Sequence, residues 1–379
     1  MAATNSSAAA AVTPLGQPTE ILLLVPSLKG GGSERVMVTL CRHLDRARFR
    51  LALGVVDMTD AVYADDVPAD VSVIDLKARR VRGALASIVR LIWQRRPQIV
   101  FSTLGQLNLA LAVLRLVLPS SVRYIARETI EVSLLPSLYR LPRWWFWAYR
   151  TFYRRLDTVV CQSRAMRDDL VRNFGLPLDK AVVINNPVDV ERIRVLAREM
   201  TDERLAVNAE LELVAAGRLD PMKGFDVLIG ALARVQQRRV HLTLLGEGPL
   251  RAALERQAQD LGVAERISFV GFKRNPYPYF ARADAFVLCS RFEGFPNVVL
   301  EALACGTPVI ATPGNGGVSE VLEGVAGCVL AADATAESLA AALCALQPNR
   351  RVPADVVQRY AVAQIVEQYQ MMFTGRHAD

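Results

Sequence analysis

Along the chain, short apolar runs bounded by turn residues alternate with segments whose apolar positions recur every three or four residues. That is the pattern of buried strands followed by amphipathic helices. In the first half it predicts a strand over 21–26, a turn from Leu28 to Glu34, a helix over about 34–44 and a second strand near 51–56. The apolar stretch 98–114 contains turn residues and divides into a strand and a helix. Residues 76–96 read as one amphipathic helix, with Val81, Leu85, Ile88 and Ile92 on one stripe and Arg79, Arg82 and Arg90 opposite. Strands over 159–162 and 182–185 close a first sheet. Asn186-Pro187-Val188-Asp189 then breaks the pattern, and 191–208 is charged and linker-like. A second series follows, with strands near 211–216, 242–246, 267–269, 285–289, 309–311 and 328–330 and a last helix over 355–373. Alternation in both halves implies an α/β protein with two parallel, doubly wound sheets.

The 379 residues exceed the usual single-domain size, and 52% hydrophobic with 22% charged residues is a globular composition. The expected division is a lead over 1–19, a first domain over 20–190, a second over 191–354 and a terminal helix over 355–379. The lead has no charged residue, so it lacks the basic start of a secretory signal and reads as a disordered segment. Six scattered cysteines without a C-x-x-C pair read as reduced core residues of a cytoplasmic protein. Three distant histidines argue against zinc chemistry or a histidine triad. No uncharged apolar run reaches the length of a membrane span.

Charge divides unevenly. Up to residue 190 there are 25 Lys and Arg against 16 Asp and Glu, and beyond it 20 against 22, or about +9 and −2. A basic first domain beside a near-neutral second one suggests a polyanionic partner for the first. No nucleic-acid motif is present, so an anionic membrane or a phosphorylated acceptor fits better, although a solvated basic surface gives the same count. Trp144 and Trp147, interleaved with Arg143, Arg150 and Arg154 at helical spacing, suit a bilayer interface or, more plainly, a packing face.

Candidate chemistry collects in loops at strand ends. Gly30-Gly31-Gly32 after the first strand, with Asp57 ending the second, is like a dinucleotide fingerprint. The third glycine, however, would fall on Arg35, too bulky for close helix–strand packing. Gly217-Arg218-Leu219-Asp220-Pro221-Met222-Lys223-Gly224 places a guanidinium fork and an ammonium at a strand end, where phosphate would be met. Gly246-Glu247-Gly248-Pro249 lets backbone approach a nucleotide, and Gly271-Phe272-Lys273 offers a nucleobase contact. Glu293 hangs in the loop after the strand at 285–289, and Glu301 lies a turn into a helix over 298–305, with Asn297 as its N-cap. Two carboxylates beside a helix start suggest a sugar nucleotide; solvated glutamates at an ordinary junction are the bland alternative.

The set G-R-L-x-x-x-K-G-F, G-x-G-P and E-G-F-P-N-V-x-L-E-A-L-A-C-G-T-P-V-I-A-T resembles the retaining glycosyltransferases of family 4. The G-G-S-E-R turn and the Asn186-Pro187 exit agree, and the likeness runs over about 20–375. It implies the GT-B fold: two Rossmann-like domains facing a cleft, with the C-terminal helix crossing back to the first. By position it implies that Arg218 and Lys223 neutralise a departing diphosphate, that Glu301 holds ribose, and that Glu293, Gly294 and Phe295 hold the donor sugar. Gly31, Gly32, Gly246, Phe272, Asn297 and Val298 complete the implied donor site. Many relatives carry a histidine where this chain has Arg127-Glu128-Thr129, so Glu128 or Thr129 would position the sugar, or backbone alone would. There is no D-x-D motif, so neither a metal nor another cofactor is expected.

The stretches Phe101-Ser-Thr-Leu-Gly-Gln-Leu-Asn108 and Asn275-Pro276-Tyr277 resemble a subgroup that adds hexoses or hexosamines to lipid-linked oligosaccharides. The implied partners are a UDP-hexose or UDP-N-acetylhexosamine, a lipid-linked glycan acceptor and the inner face of the cell membrane, met by a monomer or weak dimer. Competing readings are a sugar-nucleotide epimerase of the same fold, an NAD(P)-dependent oxidoreductase using Gly30 to Gly32 and Asp57, and a non-catalytic scaffold.

Overall fold

The computed structural model describes residues 17–136, 141–142, 144–200, 209–314, 316–353 and 355–375. Most of the expected lead (1–16), the linker stretch 201–208, Arg143 and the tail 376–379 lie outside the described residues.

The first sheet has seven strands: β1 (Thr19–Ser27), β2 (Phe49–Asp57), β3 (Ser72–Asp75), β4 (Ile99–Thr103), β5 (Arg123–Arg127), β6 (Thr158–Cys161) and β7 (Ala181–Val183). Their order is β3-β2-β1-β4-β5-β6-β7, parallel throughout, with Leu22 opposite both Ala52 and Val100. The second has six: β8 (Leu211–Ala216), β9 (Val240–Leu245), β10 (Ile267–Gly271), β11 (Ala285–Leu288), β12 (Val309–Ala311) and β13 (Val329–Leu330), in the order β10-β9-β8-β11-β12-β13. The central strands are continuous buried runs, such as Ile21 to Val25 and Ala285 to Leu288, because helices cover both faces. The strand order of each sheet reverses once, between β1 and β4 and between β8 and β11, with the strands parallel on both sides. Ligands of open α/β sheets bind in the crevice at such points.

Helix Val362–Phe373 crosses back onto the first sheet. Its Ile365, Val366, Tyr369, Met372 and Phe373 share a core with Ile21, Leu23, Phe101 and Ile125, and Phe101 meets both Tyr369 and Phe373 edge-on. The helix begins later than the expected 355, because the chain before it runs through a turn and the 3-10 turn Gln358–Tyr360 and is then tied to the other crossing: the Val188 N–H donates to the Tyr360 carbonyl (2.8 Å), and Val188 bridges Ala361. The two crossings between domains therefore run side by side.

Two further differences bear on the site. The helix expected over 76–96 spans Val81–Arg95. Leu76 and Ala78 instead extend along β2, their N–H groups bonded to the carbonyls of Val55 and Val56. Arg79 thus belongs to the preceding turn, while Ala84, Ile88, Leu91 and Ile92 form the buried stripe and Val81 and Leu85 only border it. Helix Asn297–Ala304 begins one residue early, so Asn297 lies inside it and does not cap it; the cap position is Pro296. Strand β3 was not expected; its burial shows no alternation, with three of its four residues exposed.

Candidate functional site

The loop after β8 turns through Asp220, whose side chain accepts from the Met222 N–H (2.9 Å), into the short helical turn Pro221–Lys223. Gly224 then takes φ +65°, with its Cα so close to β11 that a Cβ would stand 2.1 Å from the Cys289 carbonyl oxygen. Only glycine fits this junction, and it aims Lys223 at the loop after β11. There Lys223 Nζ meets Glu293 at 2.6 Å, and Ser290 Oγ donates to the same carboxylate oxygen at 2.6 Å. Arg218 is exposed, and among the described residues no carboxylate pairs with it. The loop after β9 lies flush beside this one, since the Gly246 N–H donates to the Gly271 carbonyl (2.8 Å) and a Cβ at Gly246 would strike the Gly217 carbonyl. Phe272, next in that rim, is 75% exposed. Phe295 is buried against Tyr360, so only its backbone is available to the cleft, and Val298 is half-buried.

Opposite stands the glycine loop. Glu34, in the first turn of helix Gly32–His43, folds back to accept from the Gly31 N–H (2.5 Å) and from Ser27 Oγ, which fixes Gly31 and Gly32. The two domains touch at two places: a Cβ at Gly32 in the glycine loop would lie 2.9 Å from Asn297 Nδ2, and one at Gly294 would lie 1.8 Å from the carbonyl oxygen of Thr129, in the loop after β5. Arg35 reaches across and pairs with Glu301. Sequence reasoning missed this contact, treating Arg35 only as a departure from a glycine pattern. The Glu301 carboxylate holds the Arg35 guanidinium above its ordinary range. Burial, and then Glu301, push the Tyr277 hydroxyl up beside them. Further bonds join the domains, from the Gly316 N–H to Glu131 (3.1 Å) and from the Ala165 N–H to Glu320 (3.1 Å).

Of the two residues offered for sugar positioning, Glu128 is turned away from the cleft and fully buried in the first domain. It accepts from Asn108 Nδ2 (2.9 Å) and from the Tyr153 hydroxyl, and burial raises its carboxyl despite those bonds. Thr129 stays half-buried at the cleft. Buried Arg127, also missed, donates to Thr103 Oγ1 (3.1 Å) and to Asn186 Oδ1; Asn186 Nδ2 in turn donates to Asn297 Oδ1 (2.8 Å). Asp57, the acid a dinucleotide would need, is engaged by Lys29 at 2.8 Å, and that bond holds its carboxyl well below the usual range.

Beside Lys29, a cavity of about 580 Å³ opens between the ends of β1 and β2 and the start of helix Val81–Arg95, lined by Ser27, Arg79, Arg80 and Arg82. Arg90 is exposed farther along that helix. Trp144 and Trp147 are exposed, as are Trp93, Leu116 and Val117, and Trp93 Nε1 donates to the Val117 carbonyl (3.1 Å). Trp93, Leu116 and Val117 had not been singled out; Trp93 lies within the basic helix and was the available signal.

Two doubly wound parallel sheets meeting at their switch points define the GT-B class of glycosyltransferase folds. The Anabaena protein HepE, solved with UDP and glucose, shares this fold at a TM-score of 0.76 and 21% identity, over 94% of this chain and 100% of that one. The family described as Glycosyltransferase Family 4 matches residues 30–192, and Glycosyl transferases group 1 matches 210–349. Between them the two models cover both halves of the chain, which is a family 4-like protein of the GT-B fold.

Among curated relatives, it is 34% identical over 169 residues to the Campylobacter jejuni N-acetylgalactosamine-N,N'-diacetylbacillosaminyl-diphospho-undecaprenol 4-alpha-N-acetylgalactosaminyltransferase, over 45% of each chain. It is 35% identical over 200 residues to the Mycolicibacterium smegmatis GDP-mannose-dependent alpha-(1-6)-phosphatidylinositol monomannoside mannosyltransferase, over 48% of this chain and 52% of that one. The matches span about half the length of these relatives.

Proposed function

We propose that this protein is a retaining glycosyltransferase that moves a hexose or N-acetylhexosamine from a UDP-sugar to a lipid-linked glycan. The observation that carries this reading is the convergence at the second sheet's switch point. Lys223, Arg218 and Glu293 gather there beside Glu301 and opposite the glycine loop. In this reading Arg218 and Lys223 take the negative charge of the departing diphosphate, and the N–H groups at Gly31 and Gly32 lie over it. Glu301 holds the ribose hydroxyls. Glu293 and the backbone at Gly294 and Phe295 hold the sugar, whose other side faces Thr129. The acceptor hydroxyl attacks from the face the diphosphate leaves, and a phosphate oxygen takes its proton. No side chain need act as nucleophile, and catalysis rests on orientation and on stabilising the leaving group. The two cations make a metal unnecessary, so transfer should persist in a chelator.

The donor nucleotide and acceptor class are supported by the lipid-linked Campylobacter acceptor and the UDP-bound neighbour; the GDP-mannose-dependent mannosyltransferase is the observation on the other side. The cavity's three arginines, Arg79, Arg80 and Arg82, suit a phosphate on the acceptor, while Lys29 in its wall is paired with Asp57. Arg90, Trp144, Trp147 and the Trp93 patch suit an anionic bilayer surface, with the enzyme at the cytoplasmic face of the membrane as a monomer or weak dimer. Among the described residues no helix is long and apolar enough to cross a membrane. Mass spectrometry of lipid-linked glycans from cells with and without the protein tests the reading. The expected change is loss of one hexose or N-acetylhexosamine from the full-length glycan; an unchanged profile overturns it.

A further inference from the structure

The contact between Arg35 and Glu301 sits where the donor reading places ribose. The first turns of helices Gly32–His43 and Asn297–Ala304 lie against each other, Gly32 at Asn297 and, one turn on, Arg35 at Glu301. Glu34 is committed to the glycine loop, so Arg35 is the charge of this turn that is directed across the cleft. Its partner is the more secluded of the two: the Glu301 side chain is 10% exposed and that of Arg35 is 43% exposed. A half-exposed ion pair is weakly held, because water and salt compete for the guanidinium. Ribose hydroxyls bonded to a secluded carboxylate make charge-assisted bonds, which are stronger. Two vicinal ribose hydroxyls seated on Glu301 take both carboxylate oxygens, including the Oε1 that Arg35 holds, so a nucleotide in this site competes with Arg35.

Arg35 is rooted one helical turn, roughly 5 Å along the axis, from Gly31 and Gly32, the loop that the donor reading lays over the diphosphate, and helical side chains lean toward the N-terminus, which lets the released guanidinium swing to that loop. A planar fork of N–H donors there matches phosphate oxygens. We propose that Arg35 is a switching residue: it holds Glu301 in the empty enzyme and passes to the donor diphosphate when ribose takes Glu301. The first domain would then supply its own cation to the leaving group, and domain closure would depend on a donor carrying both ribose and diphosphate. This rests on the assignment of Glu301 to ribose made above.

The test measures the affinities of uridine and of UDP by calorimetry for wild type, Arg35→Ala, Arg35→Lys and Glu301→Gln, with guanosine and GDP as a parallel pair. Uridine competes with Arg35 but has no phosphate to offer it, so Arg35→Ala should bind uridine about two- to fivefold more tightly, the worth of a half-exposed pair. The same variant should bind UDP about tenfold or more weakly, having lost a charge-assisted phosphate contact, and Arg35→Lys, which keeps the charge without the planar fork, should recover part of that loss. Glu301→Gln should weaken both ligands. If Arg35→Ala shifts nucleoside and diphosphate affinities in the same direction, or moves neither while Glu301→Gln weakens both, the switch is wrong and the donor reading stands. If Glu301→Gln changes neither affinity, the ribose assignment falls and the switch falls with it.

Discussion

Replacing Lys223 with alanine separates what this lysine does for the fold from what it does for the reaction. Its ammonium rests on Glu293 at 2.6 Å, and the Glu293 side chain is only 10% exposed. Alanine leaves that carboxylate with Ser290 as its remaining hydrogen-bond donor. A secluded polar group losing a partner costs about 1–3 kcal/mol, and the 25% exposure of the Lys223 side chain argues for the lower end because water can enter. The kinetic loss should be larger. The ammonium faces charge that grows as the diphosphate departs, so its interaction strengthens in the transition state. Removing one such stabiliser costs about 3–4 kcal/mol, or a hundred- to a thousandfold in kcat.

Steady-state kinetics, with urea unfolding as the stability control, read both effects. Glu301, on the ribose, binds ground and transition states about equally, so Glu301→Gln should mainly raise the donor KM. Glu293→Gln should lower kcat with nucleotide affinity nearly intact. The double variant decides between two roles for the lysine. If Lys223 only held Glu293 in place, adding Lys223→Ala to Glu293→Gln would cost nothing further. A direct role in charge stabilisation predicts a further large loss in kcat. Near wild-type kcat in Lys223→Ala, together with a collapse in Glu301→Gln, would show the roles wrongly assigned.

The remaining expectations are separate from that chemistry. Gly224→Ala forces a left-handed residue to carry a Cβ, costing about 1–2 kcal/mol before the Cys289 clash is added. It should depress kcat more than its loss of stability in urea would suggest, because Lys223 moves with it. Arg79, Arg82 and Arg90 replaced together by alanine should lose about 3 kcal/mol of binding to anionic vesicles at low salt, at roughly 1 kcal/mol per charge; equal co-sedimentation with wild type refutes the membrane face. Glu212, beside Asp284, has its carboxyl pushed up to about 7, first by burial. A raised carboxyl stabilises the fold fully below its ordinary 4.5 and loses that contribution as pH rises through 7. Glu212→Gln should therefore be more stable than wild type by about 1 kcal/mol near pH 8, discounted for partial exposure, and equal to it near pH 4; urea midpoints at the two pH values check this.

The alternation of buried runs and amphipathic segments made both sheets legible, because parallel strands covered on two faces leave an unmistakable local record. Strand β3 left none: its side chains are mostly exposed, and its pairing to β2 is carried by backbone. The start of helix Val81–Arg95 was misplaced for a related reason. Leu76 and Ala78 fit the apolar helical pattern, but strand-like bonds to Val55 and Val56 hold them. In the site, the residues of the E-G-F-P-N and R-L-x-x-x-K-G loops were legible as motifs, since each sits at one strand end. What joins them was not. Arg35 and Glu301 are 266 positions apart, and only the facing of two domains brings them together. A bulky arginine where a packing glycine was expected was the one available hint. Glu128 misled because a charged residue after a strand reads as accessible, while Asn108 and Tyr153, which bury it, come from other elements.

The central claim is acceptor-dependent sugar transfer. The most direct measurement supplies purified protein with UDP-hexoses and UDP-N-acetylhexosamines, alone and with lipid-linked glycans extracted from cells lacking the protein. The expected result is UDP release only when acceptor is present, with a product heavier by one sugar whose new linkage keeps the donor's anomeric configuration. Donor turnover without acceptor, as an epimerase would give, or an acceptor left unchanged by every nucleotide sugar, would contradict it.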